Sequence, residues 1–139
     1  MSENPLVTFA RDFFATMDRH DWPAVRAMLH PGHRFHMPMA PGPLPPDEHV
    51  AMTRSFVDAF PDFRHTIEQQ FASGDRVVTM GLIHLTHEGE FNGIPPTGAR
   101  IDCSFINVIR VEDQQNAEEW VQMDTLAILR GVGVVPDNA

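Results

Sequence analysis

One acidic residue, Asp124, stands where a strand pattern ends and an apolar helical turn begins. A carboxyl group in an apolar pocket can take a proton from carbon and return it to oxygen, because burial raises its pKa toward neutrality. Trp120 and Gln122 alternate with it along the preceding strand, so the three side chains share one face. We therefore expect the chemistry on the strand face that ends in Asp124, with Trp120 and Gln122 in the wall of a substrate pocket.

Asp124 also has a purely structural interpretation. Asp is among the best N-cap residues, and the apolar residues 126–129 after it favour a short closing helix. Spacing alone favours the cap, and one residue can serve in both roles.

The register of the last hairpin decides which residues of the preceding strand join the pocket. A two-residue turn would place Asn107 opposite Trp120, with Phe105 beside them on the same face. A slip of one residue would bring Val108 and Arg110 there instead. We prefer the first register because its face is the more apolar one, and we predict Phe105 and Asn107 as substrate-binding residues.

Two histidines, His36 and His84, could hold substrate carbonyls, since each falls in a predicted strand. An isolated histidine on an apolar strand is more commonly a hydrogen-bonded core residue. The chain has eight histidines, but their spacing matches no metal motif: there is no HExxH, no cysteine pair and no evident cluster of two histidines and a carboxylate. We expect no metal and no cofactor.

Composition excludes several classes of protein. The net charge is −9 and all ten basic residues are Arg, so there is no polybasic patch for nucleic acid and no lysine for a Schiff base. The single cysteine, Cys103, suits a reducing cytoplasm. The N-terminal residues lack the pattern of a signal peptide, and no segment approaches the ~20 apolar residues of a membrane span. We expect a cytoplasmic protein without a membrane partner.

Hydrophobic periodicity predicts the elements that must position these residues. Helices are predicted over residues 5–19, 21–29, 47–60 and 125–130, strands over residues 34–39, 63–72, 76–87, 100–111 and 117–123, and a tail over residues 131–139. Helices that precede consecutive antiparallel strands indicate an α+β fold with a curved sheet over its helices. The length of 139 residues suits one domain, which we assign to residues 1–139.

Three segments together resemble one family. They are the loop Gly89–Gly98 (GEFNGIPPTG), the strand end Ile109–Asp113 (IRVED), and Glu118-Glu119-Trp120 followed by Asp124-Thr125-Leu126. This combination resembles the SnoaL-like polyketide cyclases of the nuclear transport factor 2-like superfamily. The order of helices, strands and loops from Phe9 onward is similar too, so the resemblance covers nearly the whole chain.

The resemblance implies a cystatin-like cone, in which a curved antiparallel sheet wraps around N-terminal helices and leaves an internal pocket. It also implies a cofactor-free intramolecular aldol condensation of a small hydrophobic or aromatic polyketide-like ligand, with a catalytic Asp at the end of the last strand, here Asp124. Two alternatives stay open. One is another enzyme of the same fold, such as an isomerase, a dehydratase or a hydroxylase-like protein. The other is a non-catalytic small-ligand binder in which Asp124 is only a cap.

Cones of this type commonly pair through the outer face of the sheet. The preferred register leaves Val121 and Met123 outside the pocket, together with Ile106 and Val108. Such a patch would be apolar and large enough to be covered, so we expect a homodimer.

Overall fold

The computed structural model describes residues 3–136, with helices mainly in the first half of the chain and strands in the second. The helices are α1 (Pro5–Asp18), α2 (Trp22–Ala27), α3 (Pro46–Ala59) and α4 (Thr125–Gly131), and the strands are β1 (Leu29–His36), β2 (Arg64–Ser73), β3 (Arg76–Thr86), β4 (Arg100–Glu112) and β5 (Gln115–Met123). This order confirms the predicted α+β class. None of the helices within residues 3–136 has both the length and the apolar character needed to cross a membrane.

Side-chain caps define the start of the first two helices. The Asn4 side-chain oxygen accepts a hydrogen bond from the Leu6 backbone N–H at 2.8 Å, and Asp21 does the same for Ala24 at 3.2 Å. A proline follows within two residues of each cap, where its missing N–H costs nothing. These local signals explain why both helices begin where the sequence predicted.

The third helix begins differently from the prediction. Pro45 occupies the N-cap position without a side-chain hydrogen bond, and Asp47, where the predicted helix begins, lies inside the first turn. The helix starts one residue earlier because Pro46 suits the first helical position. Asp47 instead accepts a hydrogen bond from the Arg26 guanidinium at 2.8 Å and so ties α3 to α2.

The five strands form one sheet in the order β1-β5-β4-β3-β2. Strand β1 runs parallel to β5, and the other neighbouring strands are antiparallel. Irregularities in register interrupt the β2–β3, β4–β5 and β1–β5 pairs. Bulges of this kind bend a sheet and increase its twist, which suits a sheet that curves over its helices.

A bulge in the last hairpin overturns the register that we preferred. The two-residue turn is present at residues 113–114, and both of its residues have positive φ (54° and 60°). The pairing then shifts by one between Val111 and Arg110, because Ala117 is an extra residue on β5. As a result Trp120 pairs with Val108, and Asn107 pairs with Val121. The bulge reverses the face of every β5 residue after it.

The core lies between the concave face of the sheet and the helices. Its largest fully buried side chains include Phe13 and Phe14 from α1, Phe60 at the end of α3, and Ile109 from β4. Val132 is buried as well, so the predicted tail does not begin at residue 131. The last three residues of that tail, 137–139, lie outside the described part of the chain.

A buried histidine anchors the loop between β3 and β4. The His87 backbone pairs with Ala99 and Gly98 at 2.9 and 2.8 Å, and its ring Nδ1 accepts a hydrogen bond from the Thr97 N–H at 3.2 Å. These bonds hold the base of the loop, whose tip at residues 90–92 borders a hollow described below.

Candidate functional site

A cavity of about 70 Å³, open on one side, lies between the concave face of the sheet and the helices α1 and α3. The β4 and β5 side chains that line it are Phe105, Asn107, Glu119, Val121 and Met123. Most of the wall is apolar, with a few polar groups among aromatic and aliphatic ones. This combination is typical of small-molecule sites, where polar groups orient a ligand and apolar ones bury it.

A second hollow of about 160 Å³ adjoins the cavity, and we call it the vestibule. Met37, Met52 and Phe56 line both spaces and so form the boundary between them. The far side of the vestibule is the tip of the loop at residues 90–92. Methionine side chains are unbranched and adapt readily, so this boundary can open without a change in the backbone.

The carboxyl group of Glu119 is the acid of the cavity wall. Glu119 is only 2% exposed, and its two oxygens accept hydrogen bonds from the amides of Asn116 at 2.8 Å and Asn107 at 2.7 Å. Burial raises the pKa of Glu119 to about 7, against the two amide hydrogen bonds, which lower it. At neutral pH this group therefore both accepts and donates a proton readily.

The two amides can serve either protonation state of Glu119. The side-chain oxygens of Asn107 and Asn116 are buried and have no hydrogen-bond partner among the described residues. When the carboxyl group is ionised, both amides donate to it. When it is protonated, a rotation of either amide by half a turn would offer an oxygen to the new O–H. Each protonation state of the carboxyl group thus has hydrogen-bond partners, while the turned amide directs its own NH2 group away from Glu119.

Two neutral histidines lie beside this acid. His33 Nε2 and His49 Nδ1 are 2.9 Å apart, and His33 Nδ1 is 2.9 Å from the Asn116 backbone oxygen. Burial lowers the pKa of His33 to about 4 and that of His49 well below its usual value. Both rings are therefore uncharged at neutral pH. His49 lines the cavity, and its ring stacks on Phe35 with centroids 3.7 Å apart.

The side chains that meet here include a possible set of metal ligands: His33, His49 and Glu119. The spacing of the histidines along the chain did not indicate this set. One possible ligand atom from each residue lies within 4.8 Å of the others. The centroids of the two imidazole rings are 5.1 Å apart. Since His33 Nε2 and His49 Nδ1 are 2.9 Å apart, the rings could hardly be further from each other, so they meet edge to edge. The two nitrogens therefore point at one another and share a proton, and their lone pairs do not converge on a common point.

A second such group lies at the surface. His30 approaches Glu112 and Asp113 at 3.3 Å each. Exposed acidic side chains beside a histidine commonly form ion pairs of this kind, and the two carboxyl groups are solvated. This group is remote from the cavity wall.

Of the predicted substrate-binding residues, the structure places Phe105 and Asn107 in the cavity wall. Trp120 and Gln122 lie on the outer face of the sheet, because the bulge at Ala117 reverses the β5 side chains. The expectation that these two share the pocket with Asn107 is wrong for that reason.

The predicted histidines also lie on the outer face. His36 Nε2 is 2.7 Å from Glu118, its ring stacks on Trp120, and the Arg76 guanidinium covers the other side of that indole at 5.3 Å. The hydrogen bond from His36 lowers the pKa of Glu118. His84 lies between Thr66 and Asp102 at 2.6 and 2.8 Å, also outside the cavity. Neither histidine lines the cavity.

The structure places Asp124 at the surface. It is exposed, and its side-chain oxygen accepts a hydrogen bond from the Ala127 N–H at 3.2 Å, which makes it the N-cap of α4. The expectation of a buried carboxyl group beside Trp120 is therefore wrong. Together with Gln122, Asp124 borders an open groove of about 320 Å³ on the outer face.

Substitution of Asp124 by Ala should cost about 1 kcal/mol in the free energy of unfolding, the usual effect of losing an N-cap. Asp124→Asn should cost little, because Asn caps a helix as well as Asp does. Chemical denaturation of both variants measures the difference. Equal losses in the two variants would mean that the charge, and not the cap, is what stabilises α4.

The sequence contains one signal for Glu119 that the alternation of Trp120 and Asp124 obscures. Glu118 and Glu119 are neighbours in an apolar strand, so one of them must face inward wherever the strand is covered on one side. The contacts of His33 with His49 have no such signal, because a strand and a helix bring them together only in the folded chain.

Cys103 stays outside the chemistry, since burial raises the pKa of its thiol to about 11.

Comparison with known proteins agrees with this architecture. The sequence profile of SnoaL-like polyketide cyclases matches residues 5–132. The chain belongs to the SnoaL-like polyketide cyclase family. A search of curated proteins by sequence found no match. The family assignment confirms the resemblance found in the sequence, and the family fold is the one the structure has.

Several solved structures share the fold at low sequence identity. AclR from Streptomyces galilaeus, described as a candidate hydroxylase, has a TM-score of 0.84 at 24% identity, over 94% of this chain and 82% of its own. IdmH from Streptomyces antibioticus, a candidate polyketide cyclase, has a TM-score of 0.81 at 24% identity, over 94% and 99%. TsrD from Streptomyces laurentii has a TM-score of 0.81 at 23% identity, over 97% and 99%. These structures show the fold of the chain.

Proposed function

We propose that this member of the SnoaL-like family closes a ring in a small, polyketide-like ligand by intramolecular aldol condensation, with Glu119 as general acid and base. The observation that carries the proposal is a fully buried carboxyl group in the cavity wall whose pKa is about 7. A general acid and base is most effective when its pKa is near the working pH. The family membership supports the class of ligand.

The chemistry needs no group beyond the ligand and the protein. A methylene between two carbonyls is already acidic, so the Glu119 carboxylate can take its proton and leave an enolate. The enolate carbon then attacks a second carbonyl of the same molecule, and a carbon–carbon bond forms while that carbonyl oxygen becomes an alkoxide. Glu119 returns the proton to the alkoxide. The Asn107 amide is placed to donate to an enolate oxygen, and Phe105 to pack against the ring.

The size of the cavity constrains how a ligand enters. Even with the vestibule, the space is smaller than the ~300–1,000 Å³ of sites for drug-sized ligands. A ligand must therefore displace Met37 and Met52, which separate the two hollows. The proposal thus predicts that the boundary between cavity and vestibule limits access.

A bulky residue at this boundary tests the proposal. The probe is 2-tetralone, an aromatic ketone whose α-protons exchange with D₂O when a base removes them, followed by NMR. Met52→Trp should slow the protein-catalysed exchange by roughly tenfold or more, as small changes in pocket shape do. Arg54→Trp is the matched control, because Arg54 lies two residues away on α3 and is exposed. No exchange above the buffer rate with the wild-type protein would contradict the proposal.

Asp124 remains a second candidate for the acid and base, because it borders the outer groove of about 320 Å³ with Gln122. A ligand there would meet an exposed carboxyl group that also caps α4. The cavity could also serve another reaction of the same fold, such as an isomerisation, dehydration or hydroxylation, and AclR is described as a candidate hydroxylase. A non-catalytic binder would bind 2-tetralone without accelerating its exchange.

We also propose a homodimer and a cytoplasmic location, with a corrected dimer surface. Val121 and Met123, predicted to lie in the interface, line the cavity instead. The outer face carries an apolar row across neighbouring strands, formed by Phe71, Val78, Val108 and Trp120. Ile106, 48% exposed, lies one pair further along β4. A second copy of the chain would cover this row.

Ile106→Arg should weaken the dimer by ~3 kcal/mol, about a hundredfold in the dissociation constant, because each copy would bury an unpaired charge. Sedimentation equilibrium measures the effect. Leu126→Arg is the control, since Leu126 is 44% exposed on α4 and does not belong to the apolar row. A wild-type protein that sediments only as a monomer, or a dimer that Ile106→Arg leaves intact, would exclude this interface.

A further inference from the structure

We propose that His49 is a second proton-transferring residue of the cavity, and that His33 is a positioning residue that sets its tautomer and receives its proton. This inference rests on the proposed function and adds a second proton-transferring group beside Glu119. Aldol chemistry removes one proton from carbon and delivers one to oxygen at a different place. Two such groups allow these steps to occur at separate points of one ligand.

The hydrogen bonds fix the tautomers of both rings. A backbone carbonyl can only accept, so His33 Nδ1, 2.9 Å from the Asn116 oxygen, carries a proton. His33 is neutral, so its Nε2 has a lone pair and accepts from His49 Nδ1 at 2.9 Å. His49 is neutral too, and its one proton is therefore on Nδ1. Its Nε2 is left with an exposed lone pair.

Nothing within residues 3–136 occupies that lone pair with a hydrogen bond. His49 is one of the residues that line the cavity, although only 2% of it is exposed. The ring cannot turn easily, because Phe35 stacks on its face and His33 holds its opposite nitrogen. The geometry thus presents a base of fixed orientation to a ligand in the cavity.

The transfer step balances within the chain. His49 Nε2 takes a proton from a hydroxyl, enol or acidic methylene of the ligand, which keeps the electron pair. The proton on His49 Nδ1 then passes along the hydrogen bond to His33 Nε2. His33 becomes an imidazolium that still donates from Nδ1 to the Asn116 oxygen. The reverse sequence returns the proton to the ligand.

Nearby charges influence where the positive charge can rest. Glu119 lies within 4.8 Å of the pair and would stabilise a cation when ionised. Glu118 also favours a charged His33, whereas Arg26 and Arg34 oppose it. Burial keeps the pKa of His33 at about 4, so the imidazolium is short-lived and the proton returns readily. The pair therefore acts as a transient acceptor and does not store the proton.

The tautomers can be read without any substrate. Long-range ¹H–¹⁵N correlation spectra of the ligand-free protein, labelled in its histidine rings, separate Nδ1–H from Nε2–H forms. We expect His33 and His49 both in the Nδ1–H form at pH 7, with assignment from the peaks that His33→Gln and His49→Gln each remove. A wild-type spectrum with His49 in the Nε2–H form would overturn the proposal.

Two substitutions of His33 separate positioning from mere packing. His33→Leu removes the acceptor, so His49 should revert to the Nε2–H form. His33→Gln supplies a side-chain oxygen that can accept from His49 Nδ1, so the Nδ1–H form should persist. Identical His49 spectra in the two variants would contradict the role of His33. If either variant fails to fold, the tautomer of His49 in the wild-type spectrum tests the proposal instead.

The kinetic effect is measured with 2-tetralone exchange. His49→Gln should lower kcat by ~10²-fold, the lower range for losing a proton-transferring residue, with little change in KM. His33→Gln should retain the tautomer yet lower kcat, because the proton cannot pass further. If the wild-type protein shows the expected tautomers but no exchange, the proposed function fails and the fixed His49 tautomer stands. If exchange occurs and His49→Gln leaves it unchanged, the relay fails alone.

Discussion

Glu119→Gln should reduce kcat/KM for α-proton exchange of 2-tetralone by ~10²–10⁴-fold, the usual contribution of a general acid and base. The substitution keeps the size and the two hydrogen-bonding positions of the side chain and removes only its ability to take a proton. One of the two flanking amides, whose oxygens are unpaired, can turn to accept from the new NH₂ group. The variant should therefore fold and bind, so the loss falls on kcat.

Glu118→Gln is the matched control, since it makes the same change one residue away on the outer face. It should lower the exchange rate far less than Glu119→Gln does, because its partner His36 lies outside the cavity and its charge acts on the site only at a distance, through His33. Asp124→Asn tests the second candidate and retains the cap of α4. A large loss in Asp124→Asn together with normal activity in Glu119→Gln would move the chemistry to the outer groove.

The pH profile of the wild-type protein gives an independent check. Only ionised Glu119 can take a proton from carbon, and its pKa is about 7. The value of kcat/KM should therefore rise with pH and level off above a midpoint of about 7. A midpoint well below 7 would contradict the role of Glu119 as the base.

The same carboxyl group should make the protein less stable as the pH rises. The pKa of Glu119 is about 7 in the folded chain, against an ordinary value of 4.5, so between these values the folded state holds one more proton than the unfolded state. Stability from this group is complete below pH 4.5 and is lost as the pH rises through 7. The loss amounts to about 3 kcal/mol, at 1.36 kcal/mol for each unit of pKa.

Urea unfolding measures this loss when it is carried out on the wild-type protein and on Glu119→Gln at several values between pH 4.5 and 8. The difference between the two free energies of unfolding removes the contributions of the other titrating groups. The variant should gain about 3 kcal/mol relative to the wild type over that range. Glu118→Gln should show a small difference of the opposite sign, since the hydrogen bond from His36 lowers the pKa of Glu118. A difference for Glu119→Gln that does not change with pH would mean that the group is ionised throughout.

Much of the fold could be predicted because its signals are local. The caps at Asn4 and Asp21, the prolines after them and the apolar period of α1 predict helices at their correct starts. The Gly74 turn predicts the β2–β3 hairpin in the same way. Motifs spread over the chain then indicated the family, and the sequence profile confirmed it. Phe105 and Asn107 line the cavity, and the apolar alternation of β4 indicates that face of the strand.

The faces of β5 could not be predicted, because a single extra residue reverses them. The alternation of Trp120, Gln122 and Asp124 was real, but the bulge at Ala117 turned that set outward and Glu119 inward. The partners that Glu119 meets after the bulge lie far away in sequence: its carboxyl group accepts a hydrogen bond from the amide of Asn107 on another strand. The preference of each residue for strand or turn does not depend on such a contact, so it could not predict the bulge.

The sequence by itself thus determined the α+β class, the family and the apolar face of β4, because each depends on neighbours along the chain. The tertiary structure alone decided that Glu119 is the buried acid, that Asp124 caps a helix at the surface, and that His33 meets His49. These three facts depend on groups that lie far apart in sequence, and a pKa or a tautomer has no defined value until those groups are in contact.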